Sequence, residues 1–408
     1  MEMVEIIRLG SEGDGIAEGS DGPAYIPRAL PGERFEVRPG REPTLAGDPS
    51  PERRSEALCS HFPACGGCSV QHMAEPLYRR WKSALLISAF ARVGLEITPE
   101  PMISVPLRTR RRATFAGRRE RDGFAFGFHG SKSHAIVPLS DCAVLHPTIV
   151  ASLAVLRALA ARAAPEPDGE ARLSVLVCRE GLDVTLSAGR GPAASSLLGD
   201  LARIAAVGAV VRVTLNGEPA VQRARPTVRL GKADVTPPPA AFLQAAVEAE
   251  GVMTALLLEA IPKRSKRLAD LFAGLGTFTH ALAERAAVEA FDSDRRSIEA
   301  LTAAARSARG VKPIAATVRD LVRDPLSPRE LARFDAVVFD PPRAGAKAQA
   351  TAIAGSGLRR VIAVSCNPAT LARDVKILTD ADWRIERIVP IDQFLYTPHL
   401  EVVVVLGR

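Results

Sequence analysis

Three residues that can take part in chemistry stand beside predicted strands in the C-terminal half of the chain. Asp340 opens an Asp-Pro-Pro-Arg run after one apolar stretch, and Cys366 follows the next apolar stretch. Glu401 comes directly before the last apolar stretch. The carboxyl ends of parallel strands meet at one edge of a sheet, and an antiparallel last strand begins at that edge. We therefore expect the thiol and the two carboxylates to converge.

A thiol beside two carboxylates suits chemistry at C5 of a uracil ring. Addition of a thiolate at C6 turns the ring into an enolate that can attack an electrophilic methyl group, and a base must then remove the C5 proton. We interpret Cys366 as the nucleophile, Glu401 as the base and Asp340 as a hydrogen-bonding partner of the ring. The alternative interpretation is a buried thiol, a solvated loop carboxylate and a turn-forming Asp.

A glycine-rich segment predicts a site for a nucleoside cofactor. Residues 270–278 run from a predicted strand through a Gly-x-Gly turn into a predicted helix, where glycines allow close backbone approach and free N–H groups are available. Asp292 ends the next predicted strand, where a carboxylate can bind both ribose hydroxyls. An ordinary turn with a helix-capping Asp has the same pattern, so this motif alone does not decide.

The elements that would position these residues alternate between strand and helix after the three prolines 237–239. This alternation predicts a doubly wound α/β domain over 237–408 with a mostly parallel sheet. The last two strands are too close in sequence for a helix between them, so we expect an antiparallel hairpin at the end of the sheet. The predicted strands are 267–273, 288–291, 313–318, 334–339, 360–365, 385–391 and 402–406.

The first 236 residues predict two further domains. Short apolar pieces separated by Gly and Pro over 1–46 indicate an OB-type β-barrel. Residues 47–236 predict an α+β central domain with a polar linker over 46–60, an amphipathic helix over 75–92 and an Ala-rich helix over 149–164.

The central domain also carries four cysteines. Cys59, Cys65 and Cys68 lie in one tight segment, and Cys142 follows much later. Disulfides are rare in cytosolic proteins. Four thiolates suit zinc or an iron–sulfur cluster, and the spacing alone does not choose between them.

Charge and hydropathy bear on location and partners. The chain has 53 basic and 46 acidic residues. Arginines crowd residues 108–121 together with Phe115, and Phe124, Phe126 and Phe128 follow. Such a cluster can neutralise phosphates while its rings stack on bases, although a solvated strand face would have the same composition. No run of eighteen apolar residues and no signal peptide is present, so we expect a cytoplasmic protein without a membrane span.

Four motifs together resemble the RNA uridine-5 methyltransferase family: the Asp-Leu-Phe-Ala-Gly-Leu-Gly loop, the Asp-Pro-Pro-Arg run, Ser-Cys-Asn-Pro-Ala-Thr and the final His-Leu-Glu. The resemblance covers nearly the whole chain. It implies a Rossmann-like class I methyltransferase domain, an N-terminal TRAM domain of the OB type and the family's central domain. The implied activity is methyl transfer from S-adenosylmethionine to C5 of a uridine in RNA.

The resemblance also implies site residues, with Cys366 as nucleophile, Glu401 as proton acceptor and Asp340 near substrate and cofactor. Family members carry Cys and Asn in the cofactor loop where this chain has Ala273 and Thr277, and Ala246 stands in place of a further Asn. The implied cofactor contacts are Gln244, Phe272, Gly274, Thr277, Asp292, Asp320 and Asp340.

Members with this cysteine pattern carry a [4Fe–4S] cluster, so the resemblance implies one on Cys59, Cys65, Cys68 and Cys142. Its role would be structural, because methyl transfer needs no electrons. The cysteine pattern and the TRAM-like barrel resemble the ribosomal RNA enzymes more than the tRNA enzymes. We therefore favour 23S ribosomal RNA as substrate and expect a monomer without an obligate protein partner.

Three alternatives stay open from the sequence. One is a tRNA uridine-5 methyltransferase. Another is methylation of an exocyclic amine, which would need neither Cys366 nor Glu401. The third, motivated by the altered cofactor loop, is an RNA-binding protein or chaperone with an inactive methyltransferase domain.

Overall fold

A computed structural model describes residues 1–20, 22–38, 40–166, 169–189 and 194–408. At the N-terminus, five antiparallel strands form a sheet of order β3-β2-β1-β4-β5 around a small core that includes Ile6 and Phe35. Within the described residues no ladder joins β3 to β5, so a closed barrel is not confirmed and the strands form an open sheet. The strands are β1 (Glu2–Leu9), β2 (Gly15–Gly19), β3 (Gly22–Ile26), β4 (Arg34–Val37) and β5 (Thr44–Ala46).

The predicted amphipathic helix is confirmed as α1 (Glu75–Ala91). Its buried residues recur three to four positions apart, as expected of a helix with one apolar face. Trp81 Nε1 donates a 2.9 Å hydrogen bond to the carbonyl oxygen of Gly10, and this contact ties α1 to the N-terminal sheet.

The central region contains a seven-stranded sheet of order β13-β12-β11-β10-β7-β8-β9. Helices pack on one of its faces around Phe115, Leu156 and Leu173. The predicted Ala-rich helix is two helices, α2 (Pro147–Ala151) and α3 (Leu153–Ala163), which are interrupted at Ser152. The remaining elements are α4 (Ala194–Ala206), β6 (Ile103–Ser104), β7 (Arg112–Glu120), β8 (Gly123–His129), β9 (Ile136–Pro138), β10 (Glu170–Cys178), β11 (Gly181–Ala188), β12 (Val210–Leu215) and β13 (Glu218–Gln222).

A short hairpin, β14 (Val228–Leu230) and β15 (Ala233–Val235), precedes the C-terminal domain. Its side chains pack with Leu243, Leu275 and Ala304, which lie beyond the three prolines. The hairpin therefore contributes to the core on both sides of residue 237, and the domain boundary at that residue stays a prediction.

The C-terminal region is the doubly wound α/β domain that the alternating pattern predicts. Its sheet has the order β18-β17-β16-β19-β20-β22-β21-β6, with the first five strands parallel. The strands are β16 (Arg267–Leu271), β17 (Ala287–Asp292), β18 (Ile314–Val318), β19 (Ala336–Phe339), β20 (Arg360–Ser365), β21 (Arg384–Asp392) and β22 (Glu401–Gly407). The helices are α5 (Val247–Ala260), α6 (Thr279–Leu282), α7 (Arg295–Ser307), α8 (Pro328–Leu331), α9 (Lys347–Ala354) and α10 (Pro368–Thr379).

Helices cover both faces of this sheet, which explains why its central strands are almost entirely apolar. Helices α1, α8, α9 and α10 pack on one face, and α5 and α6 pack on the other. In β22, for example, all seven residues are buried.

The predicted terminal hairpin is antiparallel, but it does not end the sheet. Strand β22 lies between β20 and β21, and β6 from the central region pairs in parallel with β21 through Ile391 and Ile103. Two residues are too few for a strand pattern in the sequence, so β6 was not predicted. Among the described residues, the structure contains no helix long and apolar enough to cross a membrane.

Candidate active site

Asp340, Cys366 and Glu401 lie together at one rim of the C-terminal sheet. Asp340 follows β19, Cys366 follows β20, and Glu401 is the first residue of β22. Ser365 pairs with Val402 in the ladder between β20 and β22, so their neighbours Cys366 and Glu401 fall side by side. All three line a cavity of about 1310 Å³. The expected convergence is therefore present.

Local sequence accounts for the contacts of the turn that carries Cys366. Asn367 accepts a hydrogen bond from the main-chain N–H of Ala369 and caps α10, and Pro368 occupies the first turn of that helix. Asn367 Nδ2 also donates to the carbonyl oxygen of Arg343 at 2.9 Å. The loops that carry Asp340 and Cys366 are thus joined.

A chain of hydrogen bonds links the two carboxylates. Gln244 Nε2 donates to Asp340 Oδ2 at 3.0 Å. Gln393 Nε2 donates to Gln244 Oε1 and to Glu401 Oε2, both at 2.7 Å. Gln393 Oε1 accepts from the main-chain N–H of Ala245 at 2.9 Å. Both carboxylates therefore receive an amide hydrogen bond inside the protein.

Burial makes the two carboxyl groups easier to protonate. It raises the pKa of Asp340 to about 7, although the hydrogen bond from Gln244 opposes the shift. Burial, and then repulsion from Asp340, hold the pKa of Glu401 well above its usual range. Two carboxylates this close resist ionising together. Burial and mutual repulsion therefore favour a proton on this pair of carboxyl groups, and a hydrogen bond to either carboxylate opposes that tendency.

The surroundings of Cys366 favour its thiol over the thiolate. Burial raises the pKa of the thiol, and the negative charges of Glu401 and Asp340 raise it further. Arg343 acts in the opposite direction through a hydrogen bond and its charge. A neighbouring group that accepts the thiol proton would therefore help the thiolate to form.

The cofactor loop has the backbone that its glycines predict. Gly274 and Gly276 have φ angles of 54° and 83°, and Phe272 shares this left-handed region with a φ of 62°. A Cβ at Gly276 would meet Leu301 at 2.9 Å. Asp292 Oδ2 accepts from the main-chain N–H of Gly274 at 2.9 Å, which brings the end of β17 against the loop.

The predicted cofactor residues share the cavity with the three reactive groups. Its lining includes Gln244, Phe272, Gly274, Thr277, Asp292 and Asp320. A site for a nucleoside cofactor and a site for a reactive base thus open into one space. Such a crevice at the carboxyl edge of a doubly wound sheet is where ligands of these folds bind.

Known proteins are similar to this chain in sequence and in architecture. The tRNA (Uracil-5-)-methyltransferase family matches residues 236–408. An uncharacterized RNA methyltransferase of Brucella suis biovar 1 is 42% identical to the chain, covering 99% of it and 97% of the relative. The 23S rRNA (uracil(1939)-C(5))-methyltransferase RlmD of Chromohalobacter salexigens is 34% identical, with coverage of 99% and 89%. The chain belongs to the RNA uracil-5 methyltransferase family. It is an S-adenosylmethionine-dependent enzyme of that family.

A solved structure supports the class I methyltransferase fold. The Pyrococcus abyssi tRNA (uracil-54, C5)-methyltransferase in complex with S-adenosyl-L-homocysteine superposes with a TM-score of 0.73. The alignment covers 99% of each chain at 23% sequence identity. The likeness at this identity concerns the fold of the methyltransferase rather than its substrate.

Part of the arginine-rich stretch 108–121 of the methyltransferase, and most of the rings near it, are buried rather than exposed to RNA. Arg111 is buried, where it donates to the carbonyl oxygen of Gln244 at 2.9 Å and forms an ion pair with Glu250. The prediction of base-stacking rings was wrong for most of the cluster, because strand alternation turns those rings into the core. The core rings are Phe115, Phe124 and Phe126.

The sequence did not assign Gln393, Arg343 or Phe242 to the site, and it placed Arg112 in the arginine cluster 108–121. Gln393 follows β21, a strand parallel to β20, so it ends at the same rim as Cys366. A polar residue at that strand end was the signal that could have found it. Arg343 approaches Cys366, and Arg112 lies 4.3 Å from the centre of the exposed Phe242 ring at the cavity.

The four cysteines of the central region line the same cavity. They are Cys59, Cys65, Cys68 and Cys142. The thiols of Cys59 and Cys142 lie close enough to raise the pKa of Cys65, after burial as the larger cause. Within the part of the chain that the structure describes, however, no three Cys, His, Asp or Glu side chains are arranged to hold a metal ion. The four thiols share the cavity, and the [4Fe–4S] cluster on them stays a prediction.

Proposed function

We propose that this methyltransferase transfers a methyl group to C5 of a uridine in 23S ribosomal RNA through a covalent Cys366 adduct. The observation that carries the proposal is the single rim where Cys366, Glu401 and Asp340 meet, with both carboxylates linked through Gln244 and Gln393. The relative named for 23S rRNA, 34% identical over 99% of the chain, favours ribosomal RNA over tRNA.

The cavity suits S-adenosylmethionine, which supplies an electrophilic methyl group when bound. We assign its contacts to Gln244, Phe272, Gly274, Thr277, Asp292, Asp320 and Asp340, which all line the cavity. One of the departures from the family pattern leaves this lining intact, because Ala246 is fully buried beside α5. Ala273 packs with Ala290 and Leu301 but also lines the cavity, where Thr277 keeps a hydroxyl group. The cavity thus retains polar groups for a cofactor, which favours an active enzyme over an inactive RNA-binding protein.

The residues around the uracil ring have separate roles in the proposed reaction. The Cys366 sulfur bonds to C6 after its proton passes to the neighbouring carboxylate pair, while Arg343 favours the thiolate. Asp340, with a pKa of about 7, can donate a hydrogen bond to a ring oxygen as negative charge develops there. Once C5 carries the methyl group, the Glu401 carboxylate takes the C5 proton, the C5–C6 double bond reforms, and the sulfur leaves as a thiolate.

The four cysteines line the cavity, and sulfur donors of this kind suit an iron–sulfur cluster. We propose that Cys59, Cys65, Cys68 and Cys142 hold a [4Fe–4S] cluster with a structural role. When bound, it would cross-link the 59–68 segment to the distant Cys142 within the central domain. This proposal is independent of the methyl-transfer chemistry.

Two substitutions test the mechanism, because nucleophile and base act at opposite ends of the covalent intermediate. With total RNA from a strain that lacks the gene and methyl-labelled S-adenosylmethionine, Cys366→Ala should give neither 5-methyluridine nor an adduct. Glu401→Gln should add to the ring, accept the methyl group and then stall as a labelled RNA–protein complex that survives a denaturing gel. Sequencing the trapped RNA identifies the substrate. Normal turnover by either variant contradicts the mechanism, and a tRNA in the complex contradicts the assignment to 23S RNA.

A further inference from the structure

The backbone at Gln393 is held in place by contacts from α1 and from the residue that follows β6. It is 3% exposed and follows Asp392, whose carboxylate accepts hydrogen bonds from Tyr78 and Lys82 of α1. The main-chain N–H of Val105, just after β6, donates to the carbonyl oxygen of Asp392 at 3.1 Å. The backbone that carries Gln393 is therefore anchored by elements outside the methyltransferase domain.

The hydrogen bonds of Gln393 have one possible direction. The main-chain N–H of Ala245 can only donate, so the amide oxygen of Gln393 must face it. The amide nitrogen then faces the other way, and its two hydrogens go to Gln244 Oε1 and Glu401 Oε2. Glu401 is consequently the acceptor in this contact.

A donated hydrogen bond favours the ionised form of a carboxyl group. Glu401 otherwise meets mostly opposing influences, since burial and the charge of Asp340 favour its neutral form. Arg112 is the positive group that acts on Glu401 and favours its ionised form. Cys366 lies beside Glu401, and Arg343 lies next to the thiol. His399 precedes Glu401 by two residues. Among the described residues, Gln393 supplies the side-chain hydrogen bond that Glu401 accepts.

We propose that Gln393 is a positioning residue that holds Glu401 ionised and in place to remove the C5 proton, an inference that rests on the function proposed above. In this step the C5 proton moves to a Glu401 oxygen, and the C5–H electron pair forms the C5–C6 double bond. The C6–S bond breaks, and its electrons leave with the Cys366 sulfur. Gln393 exchanges no atom in the reaction, so its loss should slow this step rather than formation of the adduct.

The variant Gln393→Met keeps the length of the side chain and removes its hydrogen bonds. A hydrogen bond to a charged group is worth about ten- to a hundredfold in an equilibrium. We therefore expect the methylated RNA–protein complex of Gln393→Met to resolve about ten- to a hundredfold more slowly at pH 7. Its resolution should recover as the pH rises, with the midpoint of the pH profile displaced upward by about one pH unit or more.

The matched control is Gln349→Met. Gln349 is also a fully buried glutamine of this domain, and it exchanges two hydrogen bonds with the main chain of Leu326 away from the cavity. Its substitution reports the cost of losing a buried amide and should leave the pH profile unchanged. Should Gln393→Met not fold, Gln393→Glu serves instead. It can still accept from Ala245 but places a third carboxylate beside Glu401, so resolution should be slower still.

The assay measures decay of the labelled complex on denaturing gels from pH 6 to 9, with total RNA from the deletion strain as substrate. The proposal is overturned if Gln393→Met resolves the complex like the wild type, or is slow with an unchanged pH midpoint. Either result leaves the proposed function standing when Glu401→Gln still traps the complex. If Glu401→Gln traps nothing, the proposed function fails and this proposal fails with it.

Discussion

The buried ion pair between Lys82 and Asp392 should be essential to the stability of the active site. Lys82 Nζ donates to Asp392 Oδ1 and to the carbonyl oxygens of Phe394 and His399, at 3.1 and 2.7 Å for the two carbonyls. Both charged side chains are fully buried. Lys82 therefore fastens both ends of the loop that leads from β21 to Glu401.

Replacing Lys82 with Met should destabilise the protein strongly. Removing one partner of a buried ion pair leaves an uncompensated charge and typically costs about 3–5 kcal/mol. For a domain of 150–250 residues, that cost lowers the melting temperature by roughly 6–20 °C. Turnover should also fall, because the loop before Glu401 loses two hydrogen bonds and the end of β21 loses a third.

The assay is thermal unfolding combined with single-turnover methylation. Lys376→Met is the control, because Lys376 forms a solvent-exposed pair with Asp380 that should contribute about 1 kcal/mol or less. The double variant Lys82→Met/Asp392→Asn should recover part of the loss, since it removes the unpaired charge. The reasoning is refuted if Lys82→Met melts within about 2 °C of Lys376→Met.

Two further predictions concern groups outside the methyl-transfer reaction. Burial raises the pKa of Asp270 to about 7, so between pH ~4 and ~7 the folded protein binds a proton that the unfolded chain releases. The free energy of unfolding should therefore fall as the pH rises through this range, by up to about 1.4 kcal/mol per pH unit. Asp270→Asn should flatten this decline in chemical denaturation at several pH values, and an unaltered slope would contradict the shift. Protein purified without oxygen should be brown, absorb near ~400 nm and contain about four irons per chain, and Cys142→Ala should lose the colour. A colourless protein with one zinc would contradict the cluster and leave the methyl-transfer mechanism untouched.

Patterns within a short stretch of sequence predicted the methyltransferase domain well. Strand β20 has the predicted bounds, 360–365, because a strand covered on both faces is a continuous apolar run. The positions of Cys366 and Glu401 then follow from strand direction alone. Local patterns were sufficient wherever a single element sets the position of a side chain.

Contacts between distant segments could not be predicted in this way. Lys82 and Asp392 are 310 residues apart, and neither sequence neighbourhood indicates a partner. Phe115 shows a different difficulty, because the same strand alternation permits either face to be buried and only the packing of α3 decides. The open N-terminal sheet likewise depends on how β3 and β5 approach each other, which turn-rich sequence does not specify.

The position of the proposed base depends on the whole chain. The family match covers residues 236–408, yet relatives align over nearly the full length. The structure supplies a reason, because the loop before Glu401 is held from outside that range. The main-chain N–H groups of Ser69 and Val70 donate to the carbonyl oxygen of Tyr396 at 2.9 and 3.2 Å. Ser69 and Val70 directly follow Cys68, so this stretch and α1 both contact the loop that leads to Glu401. Strand β6 pairs with the end of β21, directly before that loop. The regions before residue 236 therefore help to position Glu401, in addition to any part they have in binding RNA.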